Sequence, residues 1–146
     1  VDHGDEDQNR MSEAFTRIDG GDLDLLIVGD HASAHVPADI DLGVDPALLG
    51  DHIAIDIGVA EVAALLAAQL RCTAILGGVS RLVIDLNREE DAPGLLPVMS
   101  DSHPIPGNRD VDVRQRMARF HQPYHDEVAR LLGGMASPFI LSVHSF

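Results

Sequence analysis

A short apolar run, Leu25 to Val28, ends at Gly29 and passes at once into Asp30, His31, Ser33 and His35. Four apolar residues closed by a turn residue read as a buried strand. Open α/β sheets place their ligands just past the carboxyl ends of such strands. This stretch therefore constrains the chain most: it predicts a sheet whose strand ends carry the chemistry, with His31 as one pole of a metal-centred site.

The rest of the pattern fits an α/β order of strand, helix, strand, strand, helix, strand. The acidic, polar residues 1–22 offer only Met11, Ala14, Phe15 and Ile18 as an apolar face, which predicts a flexible or helical arm. Ile53, Ile57, Val59, Val62, Ala63, Leu65, Leu66 and Leu70 recur at helical spacing and predict a mostly buried helix of about 15 residues. Thr73–Leu76 reads as a second strand, and Leu82-Val83-Ile84 as a third. Residues 87–108, with four prolines, predict a long irregular loop, of a size that in compact domains is usually functional or disordered. Val111–Leu132 reads as an amphipathic helix interrupted near Pro123, and Phe139–Val143 as a last buried strand ending in His144. No repeat or linker divides the sequence, so one domain over residues 1–146 is expected.

Charge and cysteine usage exclude several functions. Ten basic against 24 acidic residues give a net charge of −14, which argues against nucleic acid and against an anionic membrane surface. A small anionic substrate would need a local basic pocket. The single cysteine, Cys72, excludes an internal disulfide framework and is expected to be a buried, inert thiol. No apolar stretch is long enough to span a membrane, and the polar N-terminus is unlike a secretory signal, so a cytoplasmic setting is expected.

Two strands end in histidine, Val28-Gly-Asp-His31 and Leu141-Ser-Val-His144, and the segment His52-Ile-Ala-Ile-Asp56 lies at the entry to the first helix. Two imidazoles and a carboxylate, with the fourth position open, make a catalytic zinc site. Ser80-Arg-Leu-Val-Ile-Asp-Leu-Asn-Arg88 places Asn87-Arg88 at a strand end, suited to a substrate carboxylate through a guanidinium fork and a neutral donor. Surface pairing of Arg88 with Glu89, Glu90 or Asp91 is the other reading. Ile105-Pro-Gly-Asn108 is a turn that offers Asn108 to substrate if it faces the pocket. His121 and His125, four apart, form a possible metal pair, or His125 alone a substrate or supporting contact. A serine nucleophile at Ser33, Ser80 or Ser145 lacks a recognisable nucleophile turn.

Six segments, in order, resemble the N-formylglutamate amidohydrolase family. They are Asp30-His-Ala-Ser33 with Val36-Pro37, His52-Ile-Ala-Ile-Asp-Ile-Gly58, Ser80 to Arg88 as quoted, Ile105-Pro-Gly-Asn108, Pro123-Tyr-His125 and His144-Ser-Phe146. That family is similar in architecture to the zinc carboxypeptidases. The resemblance implies a three-layer αβα fold around a mixed, largely parallel sheet. It also implies zinc held by His31, Asp56 and His144, with Arg81 polarising the scissile carbonyl or steadying the oxyanion. Asn87 and Arg88, with Asn108 and His125, would contact the substrate. The implied reaction cleaves a small N-acyl amino acid, N-formylglutamate to glutamate and formate. The carboxypeptidases take their carboxylate ligand three residues after the first histidine, where this chain has Ala34, so that role goes to Asp56. The resemblance puts a glutamate general base beyond His144, in a part this sequence does not reach. The alternative is a relative that binds an amino acid and has lost turnover.

Overall fold

The computed structural model describes residues 9–146. Its five-stranded sheet has the order β1-β2-β4-β3-β7. The strands are β1 (Asn9–Met11), β2 (Phe15–Ile18), β3 (Leu25–Gly29), β4 (Thr73–Gly77) and β7 (Phe139–Ser142). β3 pairs in parallel with β4 and with β7, while β1 and β2 add antiparallel strands at the other side. The sheet is mixed as expected, with its parallel part at the centre and β7 end. A separate hairpin is formed by β5 (Met99–Ser100) and β6 (His103–Pro104).

Strand periodicity sorts the core into two layers. Leu26, Val28 and Ile75 join Phe120 and Tyr124 in one buried cluster; Ile27, Ala74 and Leu76 join Val59, Ala63 and Ala67 in the other. The second layer is α1 (Val59–Leu70). The first is covered by α2 (Val113–Arg116), a π-helical turn (Met117–His121) and α3 (Gln122–Gly133). Helices thus flank the sheet on both faces, in three layers.

Four expectations are corrected. The arm expected over residues 1–22 lies partly outside the described residues, but Asn9–Met11 and Phe15–Ile18 are paired strands, with Phe15 and Arg17 facing inward in alternation. α1 starts at Val59 because Gly58, at φ 83°, turns in the left-handed region and ends the preceding loop. Only its Val59, Ala63 and Ala67 are buried, a narrow stripe. β7 is not buried: it pairs with β3 alone among the described strands, and Phe139 is 66% exposed.

The largest correction concerns Leu82-Val83-Ile84, which is no strand. The segment runs in turns closed by Val83 N–H to Ser80 O and Arg88 N–H to Asp85 O, although Leu82, Val83, Ile84 and Leu86 are all buried. Its hydrophobicity reports a thread through the core, and side chains replace the missing ladder. Asn108 Nδ2 donates to Leu82 O, Arg116 Nη1 to Val83 O, His125 Nε2 to Leu86 O and His121 Nε2 to Arg88 O. Buried carbonyls need such partners.

The interruption expected near Pro123 is the π turn just before it. A proline lacks the N–H of the helical ladder and its ring crowds the carbonyl four residues back, which a wider turn accommodates. No helix among the described residues is long and apolar enough to cross a membrane.

Candidate metal centre

The register of the parallel strands assembles the site. Val28 stands opposite Ser142, and Val143 N–H continues the ladder to Val28 O. His31 and His144 therefore leave the sheet at the same carboxyl edge, with ring centroids 5.7 Å apart. Asp56 is tied to the same edge by its own N–H, which donates to His31 O at 2.9 Å. The loop before it is stitched to the next segment by Ser80 Oγ and Arg81 N, both donating to Ala54 O.

One Asp56 oxygen, Oδ2, lies 3.5 Å from His31 Nδ1 and 3.0 Å from His144 Nδ1. Ligand atoms around a tetrahedral zinc stand about 3.4 Å apart, so this donor set fits a divalent cation. His31, Asp56 and His144 form the one such grouping of three found among the described residues, with all ligand atoms within 4.8 Å of one another. His31 and Asp56 are buried, while His144 opens to a cleft of about 310 Å³ shared with Arg81 and Asn87.

Two supporting carboxylates escaped the sequence reading. Asp85 Oδ1 lies 2.6 Å from His31 Nε2 and also accepts the Asn87 N–H at 3.0 Å. With its far nitrogen held by Asp85, His31 turns Nδ1 toward Asp56, an orientation of the kind that suits a metal-binding histidine. Burial alone would raise the Asp85 carboxyl, but the His31 bond and charge outweigh it and hold the group below the usual aspartate range. The signal was present: an aspartate inside Leu82-Val-Ile-Asp-Leu86 is a buried charge needing a partner. Asp30, also buried, accepts a 2.5 Å bond from Tyr124 Oη and lies 4.0 Å from His144 Nε2. Burial, then the Asp30 charge, pushes the Tyr124 phenol well above its ordinary pKa. Nothing in sequence spacing links residues 30 and 124.

Arg81 Nη1 lies 3.3 Å from Asp56 Oδ1 and its Nη2 3.9 Å from Asp85 Oδ2. It lines both the cleft at His144 and a second pocket of about 260 Å³ that Arg88, His52 and Met99 also line. Arg88 pairs through Nε with Asp85 Oδ2 at 3.7 Å, so Asp85, rather than Glu89, Glu90 or Asp91, is its acidic neighbour. Asn87 and Arg88 are exposed side by side. His125 reaches Leu86 O, and its exposed ring borders a cleft with Asn87 and Arg88. Asn108 is the residue not brought in: it is buried, donates to Leu82 O and Pro97 O, and accepts from Arg116. Its amide thus holds the loop. His121 and His125, four apart, each turn Nε2 to a backbone carbonyl.

Residues 23–146 match the model of the N-formylglutamate amidohydrolase family. Among solved structures, a gene product of Agrobacterium tumefaciens superposes with a TM-score of 0.84 at 32% identity, over 92% of this chain and 57% of that one. An N-formylglutamate amidohydrolase from Ralstonia eutropha JMP134 superposes with a TM-score of 0.76 at 21% identity, over 92% of this chain and 58% of that one, a likeness of fold. The chain thus spans under two thirds of either protein's length. No curated protein matches it by sequence.

Proposed function

Since the chain belongs to the N-formylglutamate amidohydrolase family, we propose that it carries the metal- and carboxylate-binding part of a zinc-dependent amidohydrolase acting on small N-acyl amino acids, N-formylglutamate foremost. The observation behind the reading is the meeting of His31, Asp56 and His144 at one sheet edge, beside two arginines. A divalent cation held there supplies a Lewis acid that acidifies water and polarises an amide carbonyl.

The chain's own groups do the rest. Asp85 fixes the His31 ring through Nε2. Arg81, beside Asp56, directs its guanidinium toward the place where negative charge grows on the carbonyl oxygen. Arg88 and Asn87 receive the α-carboxylate with a fork and an amide, which fixes the scissile bond relative to the ligands.

Formate release from N-formylglutamate, followed with metal analysis, tests the reading. Zinc near one equivalent, with turnover that a chelator abolishes and zinc restores, is the supporting result. Amino-acid binding without turnover would turn the proposal into a non-catalytic relative, and failure to bind zinc would remove it.

A further inference from the structure

We propose that His121 and His125 are positioning residues that clamp the Asn87–Arg88 pair, an inference that rests on the substrate reading above. The two rings take the carbonyls on either side of Asn87: His125 Nε2 lies 2.8 Å from Leu86 O and His121 Nε2 2.8 Å from Arg88 O. A carbonyl oxygen only accepts, so Nε2 is the protonated nitrogen in both rings. The rings also pack on each other, centroids 4.4 Å apart, which couples the two anchors.

Two features separate this clamp from ordinary packing. His121 is 5% exposed, and its Nδ1 is buried without a hydrogen-bond partner among the described residues. An apolar side chain would fill that space and leave no such atom, so the imidazole is kept for what Nε2 holds. The helix also widens where it must deliver the rings. The π turn Met117–His121 sets Arg116 and His121 five apart, and Arg116, His121 and His125 all reach carbonyls of the 83–88 segment. Extra residues of this kind inside helices often mark functional sites. The segment pairs with no strand among the described residues, so these donors fix where Arg88 stands relative to Asp85 and the candidate ligands.

The test uses the whole chain with zinc and N-formylglutamate. His125 is exposed, so His125→Leu spares the core. It is expected to raise KM at least tenfold with a much smaller change in kcat, while His125→Gln, whose amide N–H can reach Leu86 O, recovers most of the loss. His121→Leu should show the same split. Amide exchange over residues 86–90 should quicken in both leucine variants and return toward the parent in the glutamine one. An unchanged KM, a glutamine variant as impaired as the leucine one, or a loss confined to kcat would overturn the clamp. If the parent neither hydrolyses nor binds the substrate, the hydrolase reading fails by itself, and unchanged exchange over residues 86–90 would overturn the clamp separately.

Discussion

Replacing Asp85 by asparagine probes the link between the metal centre and the carboxylate pocket. The side chain keeps its shape and an oxygen for the Asn87 N–H, now 3.0 Å away, but loses its charge. The 2.6 Å contact with His31 Nε2 becomes a neutral hydrogen bond. Charge-assisted bonds contribute about 1.5–3 kcal/mol and neutral ones about 0.5–1.5, so about 1–1.5 kcal/mol of ligand orientation is lost. That corresponds to about a tenfold weaker zinc affinity, the lower end of the 10- to 100-fold usual for such supporting groups. Asp85→Ala, which also strands the Asn87 N–H, should reach the upper end. Zinc titration against a competing chelator measures the affinity, and thermal unfolding of the metal-free variants checks that they fold. A metal-free Asp85→Asn protein as stable as the parent, with zinc affinity within twofold of it, would refute the role given to Asp85.

Arg88→Ala should raise KM for N-formylglutamate about 10- to 100-fold, the worth of a charge-assisted carboxylate contact, and Arg88→Lys should recover only part because it lacks the fork; steady-state kinetics decide. Gly77→Ala should destabilise the protein by about 1–3 kcal/mol in denaturant unfolding, since a Cβ there would come within 2.3 Å of Asp30 O. Glu127→Gln should cost about 2–3 kcal/mol, less than a fully stranded buried charge, because Arg17 keeps Asp19 at 2.7 Å. Bonds from Arg130 and Arg17, against burial, bring the Glu127 carboxyl down to about 2. The unfolded chain therefore takes up its proton first as pH falls through the ordinary glutamate range. The stability Glu127 contributes is full above about pH 4.5 and lost toward pH 2. The gap in Tm between parent and Glu127→Gln should narrow over that window.

The two histidine-tipped strands were legible because a strand's carboxyl end is marked locally, by an apolar run that stops at polar residues. Asp56 was legible through its place at a helix entry and through the family pattern. The β1–β2 hairpin was not, because its inward positions include Arg17, a buried charge whose partners Asp19 and Glu127 include one 110 residues away. The buried bonds of Asn108 were not legible for the converse reason: an amide in a turn looks available, and its use on Leu82 O and Pro97 O depends on segments 26 and 11 residues away. The Tyr124–Asp30 bond spans 94 residues, beyond any spacing rule.

The misread strand explains how the groups of the candidate site come to lie together. In a strand, residues 81, 85 and 87 would face one side and 88 the other. Arg88 would then stand across the sheet from Arg81 and Asp85. The turns at Ser80–Val83 and Asp85–Arg88 undo that alternation, and Arg81, Asp85 and Arg88 line one pocket. Turns alone would leave buried carbonyls without partners, which a core does not tolerate. Asn108, Arg116, His121 and His125 supply those partners from elsewhere in the chain. A strand would have met its backbone needs from a neighbouring strand and separated the arginine from the metal ligands; the side-chain-held loop meets the same needs and brings them together.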